Sequence, residues 1–246
     1  MIETVTLVGI GTGNPGHLTL DGAEALTSAD TILVPRKGTG KDDLAEIRLA
    51  LLDRLGVTAR VAFFDYPVRD ESLPYLERVE RWHDEIAARW AEAAGEAKSV
   101  ALLVWGDPSF YDSTMRIALR LTTRDRLRVL PGITAVQALT AAHAIPVNAV
   151  NGRILTTTGR RLRDGGWPEG AETVVTVLDG ECSFKALTGE GLYIWWGAFL
   201  GMPEQILDHG PLDEAAERII ATRAAAREAH GWVMDTYLMK KIDAGE

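Results

Sequence analysis

A chain of 246 residues with 46% hydrophobic and 25% charged side chains has an ordinary globular composition and room for one large or two medium domains. Its net charge of −9 argues against a protein devoted to the phosphate backbone of nucleic acid, although a local arginine cluster can still hold a small anion. The single cysteine, Cys182, excludes an intrachain disulfide and a thiolate-rich metal site.

The N-terminal stretch MIETVTLVGIG carries an acid at Glu3 and runs straight into a strand-like pattern, unlike a cleavable signal. No apolar segment is long enough to span a bilayer, so a cytoplasmic location is expected. Short apolar runs at 4–10, 31–35, 59–64, 99–106 and 127–132 read as strands. They alternate with helical patterns, the clearest at 73–95, where Leu76, Val79, His83, Ile86 and Trp90 share one face. Strands that are apolar throughout and separated by helices predict an α/β fold with a parallel sheet covered on both faces. His83 falls on the apolar seam and is read as a core residue. His17, His143, His209 and His230 are scattered without ligand spacing, and no metal site is expected.

After Pro146 the texture changes. Strand-like runs at 153–159, 172–178 and 192–197 precede a helix over 211–231, and residues 232–241 fit either a last strand or a helical continuation. This places a domain boundary near 145–148.

Three strand exits carry the chemistry. The first, VGIGTGNPG at 8–16, matches G-x-G-x-x-G through Gly11, Gly13 and Gly16. A dinucleotide site also needs its third glycine in the opening of a helix and an acid ending the second strand. Here the helix opens late, with Thr19 as its N-cap, and the second strand ends in Pro35-Arg36-Lys37. An NAD-binding oxidoreductase is therefore the remote alternative. The second exit is Gly106-Asp107-Pro108, where Asp107 either binds ligand hydroxyls or an amine or braces the turn, and Asp112 or Ser113 caps the next helix. The third is Pro131-Gly132, followed by Thr134 and Ala135 at a helix start. Their convergence on one rim of the sheet predicts a small-molecule site.

Together these motifs resemble the tetrapyrrole methylases. That family has a glycine-rich N-terminal stretch ending in Leu-Thr (here VGIGTGNPGHLTLDG), a G-D-P strand exit and a P-G-[IV]-[ST]-[SA] stretch, here Pro131 to Ala135. The wording of GTGNPGHLT, GDPSFYDST and WWGAFLGMPEQIL is similar to the family's deacetylating precorrin methylases. Thr12 stands where most of the family has proline. The resemblance implies a class III methyltransferase fold of two α/β domains, residues 1–146 with a parallel sheet and 147–246 with a smaller mixed sheet. It further implies S-adenosyl-L-methionine in the cleft between them, with S-adenosylhomocysteine as product, and a homodimer. Carried over by position, the cofactor residues are Thr12, Trp105, Gly106, Asp107, Phe110, Thr134, Ala135, Leu178 and Gly197. The implied reaction is methylation of precorrin-5 at ring carbon 1 with loss of acetate; methylation of another precorrin, cobalt-precorrin or uroporphyrinogen is the alternative, and a non-catalytic carrier the third reading. Deacetylation requires a proton acceptor, for which Asp112, Tyr111 and His17 are candidates. Precorrins are rich in carboxylates, and Arg36, Lys37, Lys41, Arg160, Arg161 and Arg163 are the cations expected to meet them, Arg36, Lys37, Arg160 and Arg161 foremost.

Overall fold

The computed structural model describes residues 2–36 and 42–241 and divides into two units, Met1–Thr134 and Ala135–Glu246. The first is an open sheet of β1 (Thr4–Gly9), β2 (Thr31–Pro35), β3 (Arg60–Phe64), β4 (Ser99–Val104) and β5 (Leu127–Leu130) in the order β3-β2-β4-β1-β5. Every pairing is parallel. Helices α1 (Leu20–Thr27) and α2 (Asp42–Arg54) lay Leu26, Leu51 and Leu52 against Val8, Ile32 and Leu103 on one face. Helices α3 (Tyr75–Ala94) and α4 (Thr114–Ala118) lay Ile86, Trp90 and Ile117 against Leu7, Leu33 and Leu102 on the other. Burial on both faces explains why β1, β2 and β4 read as apolar runs, whereas the edge strands β3 and β5 are partly exposed.

The expected seam of α3 holds from Val79 onward. His83 is buried, and burial lowers its pKa. Leu76 is 76% exposed, because the first turn of the helix overhangs the sheet's core instead of covering it.

The second unit is a mixed sheet of β6 (Ile154–Thr158), β7 (Thr173–Val177), β8 (Leu192–Ala198), β9 (Ile206–Pro211) and β10 (Asp235–Lys241), ordered β6-β7-β10-β8-β9. Only β6 and β7 are parallel; β10 is antiparallel to both of its neighbours. Of residues 232–241, those from Asp235 onward therefore form a strand, and a central one. α5 (Ala135–Ala142) packs on β8 and β10 with Leu139 beside Gly197, so the division at Thr134 falls earlier than the sequence texture suggests. α6 (Gly159–Gly165) and α7 (Leu212–His230) complete the unit. No helix among the described residues is long and apolar enough to cross a membrane.

Candidate active site

The exits of β4, β1 and β5 lie side by side at the carboxyl edge of the parallel sheet. Gly11 and Gly106 exchange both backbone hydrogen bonds, the Gly11 N–H donating to Gly106 O at 3.2 Å and the Gly106 N–H to Gly11 O at 2.7 Å. A Cβ on Gly9 would stand 2.6 Å from Gly132 N, and one on Gly132 would stand 2.1 Å from Gly106 O. Backbone therefore meets backbone at all three exits, a closeness only glycine allows.

Asp107 locks this arrangement. Its Oδ2 accepts from the Gly132 N–H at 2.9 Å, and its Oδ1 accepts from the Ser109 N–H at 2.8 Å and from the Ser109 hydroxyl. Of the two roles open to Asp107, the geometry supplies the brace, and it ties the β4 exit to the β5 exit. Partial burial works to raise its pKa, but the hydrogen bonds from Ser109 and Gly132 outweigh burial and hold the carboxyl below its ordinary value. Gly106 is buried but uncrowded: in its left-handed conformation (φ +65°) a Cβ would touch only the Cα of buried Thr134, at 3.9 Å.

The glycine loop is built around His17. Gly11 is left-handed (φ +72°), and a Cβ there would fall 2.3 Å from His17 Cβ. The hydroxyl of buried Thr12 lies 3.0 Å from His17 Nδ1. Burial lowers the His17 pKa, which keeps the ring neutral at neutral pH. Gly16 sits in a short 3-10 turn, Pro15–His17, and α1 opens only at Leu20, with the Thr19 hydroxyl accepting from the Gly22 N–H at 3.1 Å. These are the departures from a dinucleotide loop that the sequence indicates.

Beyond Asp107, Trp105 and Phe110 are half-buried. Tyr111 is left-handed (φ +53°), 44% exposed, and meets the Phe110 ring edge-on at 5.1 Å. Of the two candidates for capping α4, Asp112 takes the role, accepting from the Thr114 N–H at 2.6 Å, while Ser113 makes no capping bond. Arg36 is exposed and lies 3.9 Å from Asp65; Lys37 and Lys41 fall outside the described residues.

In the second unit, Leu178 leaves β7 left-handed (φ +54°) and 69% exposed, a strained and open position. Gly197 is interior to β8, and a Cβ there would meet Leu200 at 2.6 Å and Leu139 at 2.9 Å, so the packing leaves no room for a side chain. Ala135 opens α5. Arg160 and Arg161 are exposed on α6, whereas Arg163 is engaged by Asp164 at 3.1 Å and Glu181 at 2.7 Å. Sequence reading missed a buried polar network here. Asp179 accepts from the Tyr237 hydroxyl at 2.7 Å and the Ser183 N–H at 2.6 Å, and Arg223 grips Asp235 through Nε at 2.9 Å and Nη2 at 3.2 Å. Its members are scattered over the sequence and carry no local signature.

Comparison with known proteins accords with this architecture. The sequence profile described as Tetrapyrrole (Corrin/Porphyrin) Methylases matches residues 4–216. The chain is 42% identical to precorrin-6A synthase [deacetylating] from Sinorhizobium sp., over 98% of this chain and 96% of that protein. A solved structure of a protein described as cobalamin synthesis related (CobF), from Corynebacterium diphtheriae, superposes with a TM-score of 0.82 at 36% identity, covering 99% of this chain and all of that one (100%). Uroporphyrin-III C-methyl transferase from Thermus thermophilus, solved with S-adenyl homocysteine, shares the fold at a TM-score of 0.60 and 20% identity, over 96% and 97% of the two chains. Matched by the profile along most of its length, and by a solved relative from end to end, the chain belongs to the tetrapyrrole (corrin/porphyrin) methylases.

Proposed function

We propose that this protein is an S-adenosylmethionine-dependent C-methyltransferase of cobalamin biosynthesis, methylating precorrin-5 at ring carbon 1 and releasing the extruded acetyl group as acetate to give precorrin-6A. The observation that carries the reading is the likeness, 42% identical and nearly full length, to a precorrin-6A synthase. An anionic tetrapyrrole is the substrate, and the working form is a homodimer that engages neither nucleic acid nor membrane.

The braced rim fits the cofactor. Gly106 offers bare backbone on its uncrowded side, with Thr12, Trp105, Asp107, Phe110 and Thr134 grouped around the same exits to hold it. When bound, S-adenosylmethionine supplies an activated methyl on a sulfonium centre. The chain's own task is alignment, and positioning of a reacting carbon can lower a barrier by about 7–11 kcal/mol. Trp105 and Phe110 offer apolar walls that exclude water from a centre whose positive charge disappears in the transfer. Asp107, committed through both oxygens to Ser109 and Gly132, keeps the exits in place and does not act as a base. For acetate release, a group must take a proton from the water that attacks the acetyl carbonyl. Asp112 fits best, because capping Thr114 uses one carboxylate oxygen, whereas His17 is tied to Thr12. Arg36, Arg160 and Arg161 present exposed guanidinium groups suited to the substrate's carboxylate arms.

The test is incubation with precorrin-5 and S-adenosylmethionine, following both acetate and product mass. A product that has gained a methyl and lost an acetyl group, with free acetate, is expected. A gain of methyl alone would move the enzyme to another precorrin, and calorimetric binding of NADH without S-adenosylhomocysteine would overturn the methyltransferase reading.

A further inference from the structure

We propose that Arg48 binds a carboxylate arm of the tetrapyrrole substrate, at the topological switch point between β2 and β4. The inference rests on the tetrapyrrole reading above and adds a residue that carries no local motif.

The topology makes the switch point. The connections after β1 and β2 run through α1 and α2 on one face, and those after β3 and β4 run through α3 and α4 on the other. β2 and β4 are neighbours whose connections leave toward opposite edges of the sheet, the arrangement at which open parallel sheets bind ligands beyond their carboxyl ends. The register agrees. β1 and β4 stay paired to Gly9–Val104, but β2 and β4 pair only at Ile32–Ala101 and Leu33–Leu102. The Leu103 carbonyl is left without a β2 partner, because its donor there would be Pro35, which has no N–H, and Arg48 takes that place, its Nε donating to that oxygen at 3.2 Å.

The guanidinium is then only half used. Nη1 donates to Leu44 O at 2.9 Å, and the group stands 6.0 Å from the centroid of the Trp105 ring. Among the described residues no carboxylate lies within ion-pair distance of Arg48 and Nη2 has no acceptor; Tyr66 and Asp112 are its nearest electrostatic neighbours. Arg120, Arg218 and Arg223 each hold an acid, and Arg60 closes on Ala93 O and Ala94 O at the C-terminus of α3, where the helix dipole favours a cation. Arg48 has neither arrangement, and burial draws its pKa below the ordinary value. Arg48 is half-buried; a cation partly withdrawn from water without a counter-ion is costly, and a bound carboxylate supplies that counter-ion through the guanidinium's remaining N–H groups.

The experiment compares wild type, Arg48→Met and Arg48→Lys, each saturated with S-adenosylhomocysteine, by quenching of tryptophan fluorescence on titration with uroporphyrin III, alongside KM for precorrin-5. Arg48→Met should weaken uroporphyrin binding and raise KM by about tenfold or more, with S-adenosylhomocysteine affinity unchanged and Tm unchanged or higher; Arg48→Lys should recover part of the loss. A folded Arg48→Met protein with wild-type uroporphyrin affinity and KM, whatever its Tm, would reduce Arg48 to a brace between α2 and β4 and leave the methyltransferase reading standing. A wild type that neither binds uroporphyrin nor turns over precorrin-5 would remove both.

Discussion

The two units solve the same problem, holding strand ends in register, with opposite materials. In the parallel unit, β1, β2 and β4 are packed in hydrocarbon, and the rim is fixed by backbone packed on backbone and one partly buried carboxylate, Asp107. In the mixed unit the sheet buries charge. Arg223 and Asp235, 10% and 6% exposed, pair at two points, and Trp196 Nε1 on β8 donates to the same carboxylate at 2.9 Å. Burial pulls the Arg223 guanidinium down, but the Asp235 hydrogen bonds and charge outweigh it and raise its pKa. A buried pair of this kind is poor evidence of net stability. Here it pins β10 to β8 and α7, where a one-residue slip would turn every side chain of the strand to the wrong face. Parallel strands fed by long crossovers have their register fixed by helix packing and need no such pin.

The comparison can be broken most forcefully at the ion pair. Asp235→Ala leaves Arg223 buried and uncompensated and should cost about 3–5 kcal/mol in urea unfolding, with much of the loss restored when Arg223→Met is added. A cost of less than about 1 kcal/mol would show that the pair pins nothing. Next come the glycines. Gly132→Ala drives a Cβ against the Gly106 carbonyl, which cannot rotate away, whereas Gly197→Ala meets the movable ends of Leu200 and Leu139. Gly132→Ala should cost about 1–3 kcal/mol and lower kcat/KM for methyl transfer, with Gly197→Ala the milder of the two in both measurements. The smallest effect belongs to Asp107→Asn, about 1 kcal/mol at neutral pH. Because the folded-state pKa of Asp107 is lowered, its contribution is fully present above the unfolded value of about 3.9 and is lost as pH falls through the folded value. The gap between wild type and Asp107→Asn should therefore close on acidification, and a gap that stays constant down to pH ~2 would break the account of the brace.

The first unit was the more legible of the two in the sequence. Strands buried on both faces spell themselves in Val, Leu and Ile, and the glycine and proline exits mark their ends. What the sequence left undecided at Asp107 was a matter of reach: the partner that makes it a brace is Gly132, 25 residues away in another loop. The second unit hides more. β9 carries Asp208, His209, Gly210 and Pro211 within ILDHGP and offers no strand pattern; it forms as an edge strand on β8, with Arg218 gripping Asp208 at 2.8 Å. Residues 232–241 were ambiguous because local propensity does not say that two partner strands are waiting on either side. Arg48 left no trace for a similar reason, since only its place beside the unpaired Leu103 carbonyl distinguishes it from any other arginine on an amphipathic helix.

The position of β10 bears on the order in which the protein is made. In the first sheet β4, the fourth strand to emerge, closes the gap between β1 and β2, and the last strand, β5, adds at an edge. The second sheet closes in the same way but with its very last strand, because β7 and β8 have no shared neighbour until β10 follows them off the ribosome. During synthesis the parallel unit can settle while the mixed one waits as two separated pieces with bare strand edges. Those edges are the surface that a nascent-chain chaperone would cover and a protease would find first.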